Sequence, residues 1–209
     1  ATFQILDTQD QLSASKRLCK QVNVDDERFP PKQLQYFISG CKEDGMRARD
    51  VPARDEDTRK KVELYALYEE QCQREGVVDF GELMLRSYEL LRDNDPLREH
   101  YQRRFRHVLI DEFQDTNTLQ YAWLRALAGD QSSVFAVGDD DQAIYGWRGA
   151  RVEHIRQFTQ DFPQVKVLRL EQNYRSTNTI LQAANGLVAH NRDRMGKNLW
   201  SEGENGDPI

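Results

Sequence analysis

The sequence predicts an α/β protein, a parallel sheet with crossover helices, preceded by an all-helical region. Two observations carry this. Residues 1–106 place apolar side chains at helical spacing between residues that start and stop helices. From residue 107 onward, short apolar runs at 107–110, 134–137 and 166–170 alternate with helical stretches. Alternation of that kind implies parallel strands joined by crossovers. The 209 residues allow one large or two small domains, and 9 Phe, 8 Tyr and 3 Trp suffice to build a core.

The elements follow in order. Asp7-Thr8 can cap a helix running to about Val22. Pro30-Pro31 opens a second helix through Phe37 and Ile38, because proline suits a first turn. Residues 50–57 are charged and form a loop. Residues 58–75 carry Val62, Tyr65, Leu67, Tyr68 and Cys72 on an amphipathic pattern that Gly76 stops. Asp79-Phe80-Gly81-Glu82 resembles a capping box opening a helix through Leu91, and Asp95-Pro96 opens a short one. In the second half, helices are expected over 118–128, 151–160 and 176–190. The tail, 201–209, is polar and Gly-rich and is expected to be mobile.

Composition removes several classes of function. No apolar run approaches the roughly 20 residues of a membrane helix, and the start has neither the basic nor the apolar block of a secretory signal. A cytoplasmic protein without membrane partners is expected. The formal net charge is −6. Residues 1–107 hold 19 basic and 21 acidic side chains and residues 108–209 hold 10 and 14. Neither half can coat nucleic acid by bulk charge, which leaves only local basic grooves. Cys19, Cys41 and Cys72 lie far apart without a Cys-x-x-Cys pair, so buried, idle thiols are expected rather than zinc or disulfides.

Chemistry concentrates after residue 107. Val108-Leu109-Ile110 runs into Asp111-Glu112, two carboxylates at the end of a buried strand. In open α/β sheets, ligands bind beyond the carboxyl ends of strands. An Asp there can hold Mg²⁺ on nucleotide phosphates, and a Glu can deprotonate water. Asp139-Asp140-Asp141 cannot cradle phosphate, and either braces a turn or holds a basic residue. Gln142 both donates and accepts, which suits a sensor. Trp147, between Gly146 and Gly149, fits a core side chain and an exposed stacking platform equally well. Arg103-Arg104-Phe105-Arg106 and Arg59-Lys60-Lys61 are either solvated helix faces or phosphate contacts.

Three strings sharpen this. They are Leu109-Ile110-Asp111-Glu112-Phe113-Gln114-Asp115-Thr116-Asn117, then Val137-Gly138-Asp139-Asp140-Asp141-Gln142-Ala143-Ile144-Tyr145-Gly146-Trp147-Arg148-Gly149-Ala150, then Leu170-Glu171-Gln172-Asn173-Tyr174-Arg175-Ser176. In order and spacing they resemble motifs II, III and IV of superfamily 1 helicases of the UvrD/PcrA/Rep type, most closely the UvrD branch. The resemblance extends over the whole chain. It implies a RecA-like P-loop NTPase motor fragment with a helical subdomain. Residues 1–106 would be the helical insertion of the first motor domain, 107–165 its later βα units, and 166–209 the start of the second motor domain.

The resemblance also implies roles. Asp111 would ligate Mg²⁺ and Glu112 would activate water. Gln142 would sense the γ-phosphate of ATP. Trp147 would stack on a base of single-stranded DNA, supported by Tyr145 and Arg148. Tyr174 would stack on adenine and Arg175 would act as an arginine finger. The implied whole is an ATP-dependent 3′ to 5′ DNA helicase acting on single-stranded and duplex DNA, with partners in nucleotide-excision and mismatch repair.

One departure bears on activity. The only Gly-Lys pair is Gly196-Lys197, followed by Asn198, so the sequence holds no G-x-x-x-x-G-K-[ST] phosphate loop. The resemblance places that loop upstream of residue 1, so the chain is expected to be an internal, separately inactive fragment. A helicase–nuclease of the RecB or AddA kind shares these motifs. A non-enzymatic interaction module is the other rival, and the presence of Asp111, Glu112, Gln142 and Arg175 argues against it.

Overall fold

The computed structural model describes residues 3–191 and 194–209. Its architecture is mixed α/β, with two separate two-stranded parallel sheets and, among the described residues, eight α-helices.

Helix α1 (Thr8–Gln21) starts where the Asp7 carboxylate accepts from the Asp10 amide at 2.8 Å. Helix α2 (Pro31–Glu43) has its proline in the first turn. Helix α3 (Glu56–Glu75) begins two residues before the expected Thr58, because Asp55 is the cap and accepts from the Thr58 amide at 2.7 Å. It ends at Gly76, whose left-handed φ of 68° suits glycine. Helices α4 (Phe80–Asp93) and α5 (Asp95–Arg104) follow. The inner faces of α1, α2 and α3 bury Leu18, Cys19, Leu34, Ile38, Leu64, Tyr65 and Tyr68 in one core. All three cysteines are free, and burial pushes the Cys41 thiol up to about 11.

The first half is not wholly helical, as the sequence had suggested. Strand β1 (Gln4–Leu6) pairs in parallel with β2 (Val77–Asp79), with Gln4 opposite Val77. Strands of three residues are too short to display alternation, and the whole of α1 to α3 separates the two along the chain.

Asp79 closes β2 and caps α4, and it anchors a buried polar network. Its carboxylate accepts from the Glu82 amide at 2.7 Å, the Tyr68 hydroxyl at 2.9 Å and Lys42 Nζ at 2.8 and 3.0 Å. Lys42 also meets Glu82 at 3.1 Å. Arg47 bonds Glu82 at 2.7 Å, Glu69 at 3.0 Å and Glu89 at 2.6 Å. The reciprocal half of the expected capping box is not made, because these cations hold the Glu82 carboxylate. Burial works to raise the Glu82 carboxyl, but Arg47 and Lys42 outweigh it and hold it below its usual range.

In the second half, β3 (His107–Ile110) pairs in parallel with β4 (Ser133–Ala136), with His107 opposite Ser133. Helix α6 (Thr118–Leu127) is the crossover between them, opened by a complete capping box of Asn117 and Gln120. Helices α7 (Glu153–Asp161) and α8 (Asn178–Val188) complete the chain. Val108, Ile110, Val134 and Ala136 pack against Phe113, Tyr121, Leu124 and Phe158. The alternate side chains Leu109 and Phe135 face outward and are exposed. His154 stacks on Tyr121 at 4.8 Å and bonds the Thr116 carbonyl at 3.1 Å, and burial pushes its imidazole below the usual range.

Two further expectations are corrected. Residues 166–170 do not form a third strand, and Leu168 and Leu170 are exposed. A strand exists through pairing, and among the described residues none pairs with this run. The tail does not hang free either. The Glu204 and Asn205 carbonyls accept from the Asn178 and Thr179 amides at 3.3 and 3.0 Å, covering the first turn of α8.

Replacing Lys42 by Met will leave Asp79 and Glu82 buried without their ammonium partner. Breaking a buried pair in this way costs about 3–5 kcal/mol. Urea denaturation should show that loss, and Lys42→Met/Asp79→Asn should recover part of it. A loss under about 1 kcal/mol, the range of an exposed pair, would show that the network is dispensable.

Candidate functional site

The site begins where β3 stops. Glu112 has φ 49° and ψ 45°, a left-handed conformation that costs an L-residue on the order of 1 kcal/mol. This breaks the strand, and both Asp111 and Glu112 are exposed. Asp111 Oδ1 accepts from the Glu112 amide at 2.9 Å. Glu112 Oε2 accepts from Gln114 Nε2 at 2.7 Å. The Phe113 amide donates to the Val137 carbonyl at 2.9 Å, so the two strand ends stay joined past the ladder.

Gln114 is the hinge of this arrangement. It is 2% exposed, and its Oε1 accepts from the Asp139 amide at 3.0 Å. One amide therefore ties the acidic strand end of β3 to the turn after β4. Gly138 makes room for it, since a Cβ there would lie 2.9 Å from Gln114 Oε1 and 3.3 Å from the Gln114 amide nitrogen.

The turn after β4 is braced from both sides. Asp139 Oδ2 accepts from Gln142 Nε2 at 2.6 Å, and Asp139 Oδ1 accepts from the Asp141 amide at 3.1 Å. Lys197 pairs with Asp139, Arg194 bonds Asp141 at 2.6 and 3.0 Å, and the Met195 amide donates to Asp140 at 2.6 Å. Burial works to raise the Asp139 carboxyl, but Lys197 and Gln142 outweigh it and hold it below its usual range. The three aspartates thus both brace a turn and hold basic residues, the two roles their sequence left open. Their carboxylates approach within 4.8 Å of one another.

Beyond Gln142 the chain rises into a short 3₁₀ turn, Gly146–Arg148. Trp147 is 75% exposed, which removes the core reading. The Arg148 guanidinium lies 4.5 Å from the Trp147 ring and 5.1 Å from the Tyr145 ring. The two rings lie 6.3 Å apart. The three side chains form one outward-facing aromatic and cationic surface.

Tyr174 and Arg175 stand apart from these groups. The exposed Tyr174 hydroxyl donates to Gln172 Oε1 at 2.8 Å, and Asn173 Oδ1 accepts from the Arg175 and Ser176 amides. Among the described residues no hydrogen bond or ion pair joins either side chain to Glu112 or Gln142. Of the basic runs, Lys60 pairs with Glu63 and Lys61 lies over the Phe37 ring.

Sequence reasoning missed Gln114, Arg194 and Lys197. A neutral Gln inside an acidic string carries no charge signal. Arg194 and Lys197 could have been found by asking which cations offset three consecutive aspartates.

The sequence model of the family described as UvrD/REP helicase N-terminal domain matches residues 1–163. The chain is 51% identical over 208 residues to DNA helicase II of Haemophilus influenzae, covering 99% of this chain and 28% of the relative. It is 51% identical over 210 residues to DNA helicase II of Escherichia coli, covering 99% and 29%. It is 38% identical over 209 residues to the ATP-dependent DNA helicase PcrA of Leuconostoc citreum, covering 99% and 28%. The chain therefore spans under a third of the length of these curated relatives.

Gly138→Ala will force Gln114 out of its place between Glu112 and Asp139. Overpacking a close site of this kind costs about 1–3 kcal/mol. Thermal unfolding should show the loss, and amide exchange at Asp139 should accelerate. Unchanged exchange there would show that Gln114 does not tie the two strand ends.

Proposed function

Because this chain belongs to the UvrD/REP helicase N-terminal domain family, we propose that it is part of an ATP-driven DNA helicase moving 3′ to 5′. Residues 1–106 are its helical insertion, 107–165 the later βα units of the first motor domain, and 166–209 the start of the second. The observation that carries the reading is the pair of exposed carboxylates at the carboxyl end of β3, joined through buried Gln114 to Asp139 and Gln142.

The residues present fit a divalent cation. Asp111 keeps Oδ2 clear of the Glu112 amide, and a hard carboxylate oxygen suits Mg²⁺. Asp139 and Asp141 are engaged by Lys197 and Arg194 and Asp140 by the Met195 amide, whereas Asp111 stands exposed with one oxygen free, which makes it the ligand of this reading. Mg²⁺ bound there would offset the negative charge of the nucleotide phosphates. Glu112 uses Oε2 toward Gln114 and retains Oε1 to take a proton from water. Gln142 is held by Asp139, so a γ-phosphate that draws its amide away also disturbs the turn leading to Trp147. Tyr174 offers adenine an open ring face, and Arg175 has no side-chain partner among the described residues, which leaves its charge for phosphate.

Trp147 takes a base of single-stranded DNA, with Tyr145 and Arg148 beside it. Duplex DNA is the substrate to be unwound, and proteins of nucleotide-excision and mismatch repair are the partners of this reading. Among the described residues no helix is long and apolar enough to cross a membrane, and the reading assigns the protein to the cytoplasm.

Two measurements test this. In the full-length protein, Glu112→Gln should keep nucleotide affinity and lower DNA-stimulated hydrolysis by about 10²–10⁴-fold, the usual contribution of a general base. Near-normal turnover would remove Glu112 from that role. In this chain, Trp147→Ala should weaken single-stranded DNA binding by about 1–3 kcal/mol with an unchanged melting curve. Intact affinity would end the stacking assignment.

A further inference from the structure

We propose that the groove at the amino-terminal edge of β3 and β4 is a second single-stranded nucleic-acid site, separate from the Trp147 surface. The groove has a volume of about 480 Å³ and is lined by Arg104, Phe105, Arg106, His107, Gln131 and Ser133. None of the six is acidic. Among the described residues neither Arg104 nor Arg106 has a carboxylate partner, whereas neighbouring Arg103 is engaged by Glu99 at 3.3 Å. Asp130 lies close in sequence and is not part of the lining.

The aromatic component selects the occupant. Phe105 is 39% exposed and stacks parallel on Tyr101, with centroids 5.9 Å apart and planes 4° apart. The Arg104 guanidinium lies 5.9 Å from the Phe105 ring. A ring stacked on Tyr101, with the Arg104 guanidinium over it, presents an unpaired base with an aromatic and cationic stacking surface while the guanidinium charges meet its phosphates. Gln131, Ser133 and His107 add polar groups that bond base edges or sugar hydroxyls. A duplex keeps its bases stacked on one another and could use only the two cations. A single strand uses every group in the lining.

The location is independent of the site already described. Arg106 and His107 begin β3 and Asp111-Glu112 follow its end, so four strand residues, roughly 13 Å, separate them. This inference rests on the reading of the chain as a DNA-binding protein, and one experiment keeps the two apart. Binding of a labelled oligothymidylate to this chain is followed by fluorescence anisotropy, with Arg104→Ala/Arg106→Ala made alone and in the Trp147→Ala background. All three positions are exposed, and melting curves verify the fold. In both backgrounds the double arginine variant should lose at least about tenfold in affinity near about 50 mM salt. The slope of log affinity against log salt should fall by about 1.4, or about 0.7 per lost phosphate contact.

Phe105→Leu keeps the apolar volume and removes the ring. It should weaken the single strand about tenfold and leave a duplex of equal length unchanged. Unchanged affinity and slope in the arginine variant, or equal losses for single strand and duplex on Phe105→Leu, overturn the proposal. So does competition by an acidic peptide as effective as the oligonucleotide. Loss at Trp147 with none at the groove refutes this site and leaves the Trp147 reading standing, and the converse result does the reverse.

Discussion

The buried meeting of Lys42 with Asp79 is the constraint on which the helical half depends. Lys42 comes from α2 and Asp79 from the junction of β2 with α4, while Tyr68 reaches the same carboxylate from α3 and Gln11 Nε2 from α1 at 3.4 Å. Four helices and a strand thus share one charged centre. Their apolar faces alone could slide along one another at small cost, whereas an ammonium and a carboxylate without water must meet at one geometry or lose several kcal/mol. Arg47 extends the same logic outward, joining Glu69 on α3 to Glu82 and Glu89 on α4.

The second half solves a different problem. Asp111 and Glu112 face water, so they cannot hold the fold together. The load passes to a neutral side chain. Gln114 donates to Glu112 and accepts from Asp139, and a buried amide can do both without carrying charge into the interior. The acidic turn is then secured from Arg194 and Lys197, far along the sequence. Displacement of Gln142 would be felt at Asp139, and from there at Lys197 and at the approach to Trp147. This chain of bonds is a physical route by which a displaced Gln142 would reach the Trp147 turn.

Most helices were legible in the sequence because each carries a local signal. Asp7 and Asp79 are capping side chains adjacent to the turns they cap, and Gly76 stops α3 by its own conformation, whereas the caps Asp55 and Asn117 emerged only in the structure. Strands β3 and β4 were legible as apolar runs. What failed was non-local. β1 and β2 are too short to alternate and exist only through each other. Residues 166–170 look like a strand by composition, yet pairing decides that state, and composition does not report it. Asp111, Glu112, Gln142 and Trp147 stood out within the motif strings by their chemistry, whereas Gln114, in the same strings, and Lys197 act through partners that only the fold brings near. Trp147 marks the boundary between the two cases, since its flanking glycines permitted both burial and exposure.

The charge balance sets how any nucleic-acid contact on this molecule must work. At a net charge of −6 the far field repels a polyanion. At physiological salt that field fades within about 8 Å, so binding depends on what lies in direct contact. Many basic side chains are committed elsewhere, as Arg47, Arg86, Arg98 and Arg194 are to carboxylates. Arg104, Arg106 and Arg148 are not, and Arg104 and Arg148 each lie over an exposed aromatic ring. Stacking is short-ranged and independent of salt screening, and it favours bases that are free of a duplex. On the proposed reading, a repulsive envelope with aromatic contact points favours the unpaired strand over the duplex it is drawn from, whose bases are hidden and whose charge density is highest. Discrimination of that kind follows from the distribution of charge, without any contact that reads sequence.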